Sequence, residues 1–298
     1  MKILGAGMSG CLAGLVFPNA EILEAQNEPP INHGAVLRFR DDSVSKITGI
    51  PFKKVTVRKA IVYNGKFIQP NIQICNEYSL KVTGKVQDRS IWNLETVQRY
   101  IAPHDFQQQL FDLVANRVNL GIAATSDMLK CETTLSTIPM PTMCRILSMA
   151  EPAELKHKKI TVVIANIHNC DVYQTIYFPE FTDQLYRATI TGNKLIMEFI
   201  GEIPENLIGN YMDLITAQMS INYPMDSIEQ KSQKYGKIDP IDDSARRQFL
   251  YMLTCNHNIY SAGRFAIWKN ILMDDVLHDL FVIREMMAKD SYEHNKRK

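Results

Sequence analysis

The sequence predicts an α/β fold: a parallel-sheet domain assembled from separated segments, with a second domain built on a mixed sheet. Three observations predict it. A complete strand–turn–helix–strand unit opens the chain at KILGAGMSGCLAGLVFPNAEILE. A β-rich run, TTLSTIP, stops at Pro139 in mid-chain. A strand, a glycine turn and an amphipathic helix follow one another in IYSAGRFAIWKNILMDDVLHDLFVIREMM. Strands that alternate with helices call for a parallel sheet. About 46% of the 298 residues are apolar, enough for one large or two medium cores.

In the opening unit KIL is a short apolar strand, and GAGMSG places Gly5, Gly7 and Gly10 in G-x-G-x-x-G spacing. The helix begins at Met8 and Ser9 and ends before Pro18-Asn19, and AEILE is a second strand closing on Glu24. Each part has a physical reason. Gly5 permits a tight turn, Gly7 lets a pyrophosphate approach the backbone, and Gly10 lets helix and strand pack closely. The orphan amides of the helix start attract phosphate, and Glu24 stands where a ribose diol needs an acceptor. A glycine-rich turn inside an ordinary core shares the spacing. The strand context and Glu24 favour a Rossmann-like dinucleotide site.

Further grips are expected downstream. INHGAVLRF offers His33-Gly34 and then a strand with Arg38, which can lie against a ribityl chain or ring. TTLSTIP ends at Pro139, where a parallel strand meets the nucleotide face. IYSAG is a strand, Gly263-Arg264 a turn, and Asp274 or Asp275 caps a helix with Val276, Leu280 and Ile283 on one face. Between these stretches, VTVRKAIVYNGKFIQP reads as a hairpin turning at Asn64-Gly65. NLETVQRYI, HDFQQQLFDLVANRV, NLIGNYMDLITAQMS and SARRQFLYMLT read as helices. ITVVIANI, QTIYF and YRATITGNKLIMEFI read as strands, with a turn at Gly192-Asn193.

Several classes are disfavoured. No apolar run is long enough to span a bilayer. The N-terminus imitates a signal peptide, but Gly5, Gly7, Gly10 and Gly14 interrupt its apolar stretch and no A-x-A-like site follows. Cytoplasmic residence is expected. Cys11, Cys75, Cys131, Cys144, Cys170 and Cys255 show no CxxC spacing and read as buried thiols. His168 and Cys170 in IHNC lack a partner pair, so no metal is expected.

GRFAIWKN followed by MDDV resembles the C-terminal flavin motif of UDP-galactopyranose mutases and related amine-oxidase-like flavoproteins, and LSTIPMP resembles their strand before the second domain. IYFPEFTDQLYRATITGNKLIMEF and KYGKIDPID resemble their substrate-domain strands and return crossing. The chain departs from them in its shorter length and in carrying His33-Gly34 where a double glycine is usual. The resemblance implies FAD as cofactor, gripped by the glycine turn, Gly34, Arg38, Pro139, Gly263-Arg264 and the helix start at Asp274-Asp275-Val276. It also implies a discontinuous FAD-binding domain of residues 1–50, 115–150 and 250–298, with residues 51–114 and 151–249 forming the substrate domain.

Charge is uneven. From Arg38 to Arg89 eleven basic residues face four acidic ones, although the whole chain balances 33 basic against 32 acidic. A solvated face explains this, and so does a phosphate-bearing substrate. With the flavoprotein resemblance, three activities come into view. One is a flavin oxidoreductase acting on a carbon next to an amine, its substrate a small amine or an aminoacylated nucleobase in DNA, as in bacteriophage enzymes that trim adducts on modified thymidine. Another is a mutase-like enzyme acting on a sugar nucleotide. The third is a non-enzymatic nucleic-acid-binding module. His33 is the candidate polar contact to the ring and Trp268 the candidate pocket wall; a turn histidine and a packed indole are the plainer alternatives.

Overall fold

The structure, a computed structural model, describes residues 1–31, 34–86, 91–130, 132–221 and 227–296, with side chains as far as Lys289. The chain runs β1 (Lys2–Leu4), α1 (Met8–Val16), β2 (Glu21–Leu23), β3 (Arg38–Phe39), α2 (Ser43–Thr48), β4 (Lys53–Tyr63), β5 (Lys66–Ile68) and α3 (Ile72–Thr83). It continues with β6 (Val97–Ile101), α4 (Phe106–Asp112), β7 (Val118–Asn119), β8 (Thr134–Ser136), α5 (Met140–Leu147), β9 (His157–Asn166), β10 (Tyr173–Tyr177) and β11 (Leu185–Thr191). The remainder is β12 (Lys194–Ile200), α6 (Glu205–Met219), β13 (Glu229–Ile238), α7 (Asp243–His257), β14 (Ile259–Ser261) and α8 (Met273–Lys296).

The first sheet has five strands in the order β14-β8-β1-β2-β7, all parallel. Lys2 pairs with both Glu21 and Thr134, so the opening strand is central. Both faces are covered, which is why these strands read as apolar runs and not as alternations. On one face α1 packs with α4 and α8, burying Leu12, Leu110, Val276, Leu280 and Ile283. On the other, Met143 of α5 and Phe249 and Leu253 of α7 meet Leu4, Leu23 and Ile259. Ala102, Phe106, Leu110 and Val114 belong to the first of these cores. Residues just before position 115, which the sequence division gives to the second domain, therefore pack on the first sheet.

The second sheet is mixed and has nine strands, in the order β13-β9-β12-β11-β10-β4-β6-β3, with β5 paired to β4. Strand β4 holds it together: residues 53–57 pair with β6, and residues 58–61 pair with β10. Asn64 and Gly65 both take positive φ, 49° and 70°, giving the tight β4–β5 turn that the Asn-Gly pair predicts. One face is apolar: α6 lays Ile208, Met212 and Ile215 on Val163, Ala188, Leu195 and Met197. Burying each of these three α6 side chains stabilises the layer by about 1.5–3 kcal/mol.

The other face is divided. At one end Ile74, Tyr78 and Val82 of α3 cover Ile61, Ile160 and Val162. At the other end the alternation turns polar. Tyr173 pairs with Thr191 and Thr175 with Thr189, so these side chains share one surface. One expectation is corrected here. NLETVQRYI is not a helix; Val97–Ile101 is strand β6, antiparallel to β4 and β3. Its β-branched and aromatic positions find a strand's pairing partners, and tertiary context overrides the local helical pattern.

Candidate functional site

The N-terminal turn is shaped by crowding at one glycine and openness at another. A Cβ on Gly10 would lie 1.8 Å from Gly5 O, so helix and turn touch backbone to backbone. Gly5 has φ +91°, a left-handed conformation that a side chain would strain. Nothing lies within 4 Å of a Cβ built on Gly7, the residue that caps α1. The backbone at Gly7 is thus bare, with the first amides of α1, at Met8 and Ser9, beside it. Thr137, just past β8, holds the turn from outside: its Oγ1 donates to Leu4 O at 2.8 Å and to Gly5 O at 3.3 Å.

Glu24 sits at the end of β2 and is 8% exposed. Its carboxylate accepts from the Ala6 amide at 2.8 Å and the Gln26 amide at 3.0 Å. Each oxygen therefore spends one lone pair on the turn and keeps capacity for a hydroxyl.

The C-terminal corner reaches the same spot. Gly263 has φ +96°, and its missing Cβ would lie 2.7 Å from Ser9 Oγ. The next residues are tied in as well. Phe265 O accepts from Met140 N at 2.9 Å, which joins the corner to the helix after Pro139. Arg264 donates to Asn270 Oδ1 at 2.8 Å and to Gly236 O at 3.4 Å. The structure thus gathers Gly5, Gly7, Ser9, Gly10, Pro139 and Gly263 at one end of the first sheet.

The start of α8 is fixed by the 34–40 segment. Arg40 donates its amide to Asp274 Oδ2 at 2.7 Å and its guanidinium to Asp275 Oδ1 at 2.5 Å. Asp274 is 8% exposed and its Oδ1 is buried with no hydrogen-bond partner. Burial pushes the Asp274 carboxyl above its ordinary range. The Val276 amide donates to Leu272 O, so any backbone contact of this helix start is made by the residues before Val276.

Arg38 lies under the second sheet. It donates to Thr175 Oγ1 at 2.5 Å and to Ile190 O at 3.5 Å, and its Nε is buried without a partner. Burial, and then the neighbouring charge of Arg187, lower its pKa to about 10. A bulge between Leu185 and Arg187 turns Tyr186 and Arg187 toward one carboxylate. Arg187 forms a forked ion pair with Glu198, which also accepts from Tyr186 OH at 2.8 Å. Burial raises the Glu198 pKa, but Arg187 outweighs it and holds the carboxyl at about 2.

Beside the 34–37 segment lies a cavity of about 330 Å3. Gly34 to Leu37 form one wall, Ile101 to His104 another, and the polar end of the second sheet the floor. Lys53, Lys194 and His104 line it, and among the described residues no lining residue is acidic.

His33 lies outside the described residues. Trp268 does not wall a cavity: it is 1% exposed, packs with Ile238, Phe249 and Leu253, and spends its indole N–H on Asp239 O at 3.1 Å. The indole is core because it packs edge-on to Tyr235 and His157 among the apolar side chains of α7 and β13.

No protein-family model matches the sequence, and no curated protein matches it. Solved structures do. A candidate protoporphyrinogen oxidase from Exiguobacterium sp. 255-15 superposes with TM-score 0.57 at 9% identity, over 95% of this chain and 98% of the other. A triple mutant of the flavin-dependent brominase Bmp2 gives 0.55 at 11%, over 96% and 80%. A geranylgeranyl bacteriochlorophyll reductase-like protein from Thermoplasma acidophilum gives 0.51 at 11%, over 98% and 79%.

The chain has a flavoprotein fold. Within it, sequence reasoning found the glycine turns but missed Thr137, Arg40 and the cavity residues Lys53, Lys194 and His104. The polar alternation of YQTIY and YRATIT was the available signal for the cavity floor.

Proposed function

We propose that this chain is an FAD-dependent oxidoreductase. The observation that carries this is the packing of Gly263 on Ser9 beside the bare Gly7. It places two glycine corners from opposite ends of the chain on one helix start, as a long dinucleotide needs. The residues present fit FAD. The Gly7 backbone and the α1 amides receive the pyrophosphate. Glu24 has acceptor capacity left for the adenosine ribose. The α8 start, with the orphaned Asp274 Oδ1, would hold the ring end together with Gly34 and Arg38. When bound, FAD supplies a two-electron hydride acceptor.

Purified protein is expected to be yellow. Gly7→Asp is expected to weaken FAD binding roughly a hundredfold, because a carboxylate would occupy and repel the phosphate's place. Flavin absorbance after gel filtration reads both, and a yellow Gly7→Asp variant counts against the assignment.

The substrate reading is oxidation of a carbon next to an amine. The carbon–hydrogen bond gives its electron pair and hydrogen to the cofactor, and the imine left behind hydrolyses. Lys53 and Lys194 support this reading. Cations around the cavity disfavour an ammonium and keep an amine in its reactive neutral form. An aminoacylated nucleobase in DNA is the larger candidate. Of the basic stretch, Arg38, Arg40, Lys46, Lys81 and Lys85 bond within the fold. Lys54 and Arg58 stay exposed on β4, where a phosphate backbone can reach them. Anaerobic bleaching by simple amines and by DNA bearing aminoacyl thymidine separates the two. If DNA is the substrate, its binding is expected to weaken with salt, and Lys54→Ala/Arg58→Ala to shallow that slope.

A further inference from the structure

We propose that the cavity over the Tyr173–Thr191 floor is a site for an organic acid: a compact apolar body carrying one carboxylate or phosphate group. This deepens the oxidoreductase reading, and rests on it for the statement that the acid group is carried by the amine substrate. The anion site itself stands on the cavity alone.

The lining has two chemistries. Val36, Leu37, Ile101, Ala102 and Ile196 make an apolar wall, and a volume of about 330 Å3 suits a compact ligand. Lys53 and Lys194 flank the polar floor, with His104 opposite. Both ammonium groups rest on neutral atoms: Lys53 Nζ donates to Tyr173 OH at 2.8 Å, and Lys194 Nζ to Asn166 Oδ1. Asp171 is the acid whose field reaches Lys53, and it is not part of the lining.

The positive surplus continues beside the cavity, on the same face of the sheet as the floor. Thr175 follows Tyr173 on the same face, and Arg38 rests on it with Nε buried and unpartnered. Arg187 repels Arg38, and its own pair with Glu198 is complete. Neither arginine lines the cavity, but their charge, only partly offset by Glu198, adds to the positive field at its floor. An anionic group between Lys53 and Lys194 would leave the rest of the molecule against the apolar wall.

Calorimetry on the purified protein with its bound flavin tests this, using benzoate, phenyl phosphate and inorganic phosphate as probes. Benzoate or phenyl phosphate is expected to bind saturably, and comparing them tells carboxylate from phosphate. Lys194→Met is expected to weaken the better probe at least tenfold, with the melting temperature unchanged; Lys194→Arg should retain it within about threefold. Lys66→Met, on the exposed β4–β5 hairpin away from the cavity, should match the parent. No saturable heat from either organic anion overturns the proposal, as does undiminished binding in Lys194→Met. Inorganic phosphate binding as tightly as phenyl phosphate overturns the apolar body. The heat reports the acid and the visible spectrum reports FAD. A colourless protein that binds benzoate therefore sinks only the cofactor reading, and a yellow one that binds neither organic acid sinks only this inference.

Discussion

Gly10→Ala is expected to abolish flavin binding and to destabilise the whole first layer. The added methyl would stand 1.8 Å from Gly5 O, and the obstacle is backbone, not a side chain that can rotate aside. Relief requires α1 to move off β1. That movement would separate the Gly10 region from Thr137 and loosen Ser9 from Gly263, since both contacts depend on the same close approach. Overpacking of this kind costs on the order of 3 kcal/mol. Denaturant unfolding should show a lower midpoint with an unchanged slope, and the variant should elute colourless from gel filtration. A yellow variant of parental stability would show that the helix has room to shift. Gly7→Ala is the control for stability alone, because nothing in the protein lies within 4 Å of its Cβ.

Arg187→Met should be the second large effect. Glu198 is 1% exposed and its charge is held mainly by Arg187, with Tyr186 OH also donating and the buried Lys237 ammonium adding its field. Removing the guanidinium strands a carboxylate under the second sheet, at about 3–5 kcal/mol. The pH dependence carries a sign that identifies the cause. In the parent, Glu198 has a folded pKa of about 2 against an ordinary 4.5. Such a depressed acid gives stability that is fully present above pH 4.5 and is lost as pH falls toward 2, about 3 kcal/mol in all. In Arg187→Met the folded pKa rises above the ordinary value. The deficit should then be largest at neutral pH and shrink in mild acid as Glu198 takes up a proton. Thermal melts from pH 7 to pH 3 on both proteins read this. Arg187→Met/Glu198→Leu should recover much of the loss, because it removes the stranded charge along with its partner.

The parallel layer was legible in the sequence because its signals are local. Three glycines, an acid after the second strand and two strand-to-turn transitions each act within a few residues, and backbone sterics enforce them. The second layer was legible only in part. Val97–Ile101 was mistaken for helix, since nothing within NLETVQRYI reveals that β4 on one side and β3 on the other offer it pairing. Trp268 looked like a pocket wall because an indole next to a glycine corner suits either role, and only the packing of Ile238 and Leu253 decides. The cavity was invisible for a related reason. Lys53, His104 and Lys194 come from three distant segments, and their convergence is a property of sheet order.

The meeting of Ser9 with Gly263 also bears on biosynthesis. A ribosome releases the first glycine turn early and the second corner only after all of the second sheet has emerged. Until then α1 lacks its neighbour α8, and the edge of β8 that β14 will occupy stays open to wrong partners. The nascent protein must therefore mature its cofactor cradle after translation of the second layer, and flavin supplied during refolding should raise the yield of native molecules by capturing the late-closing form.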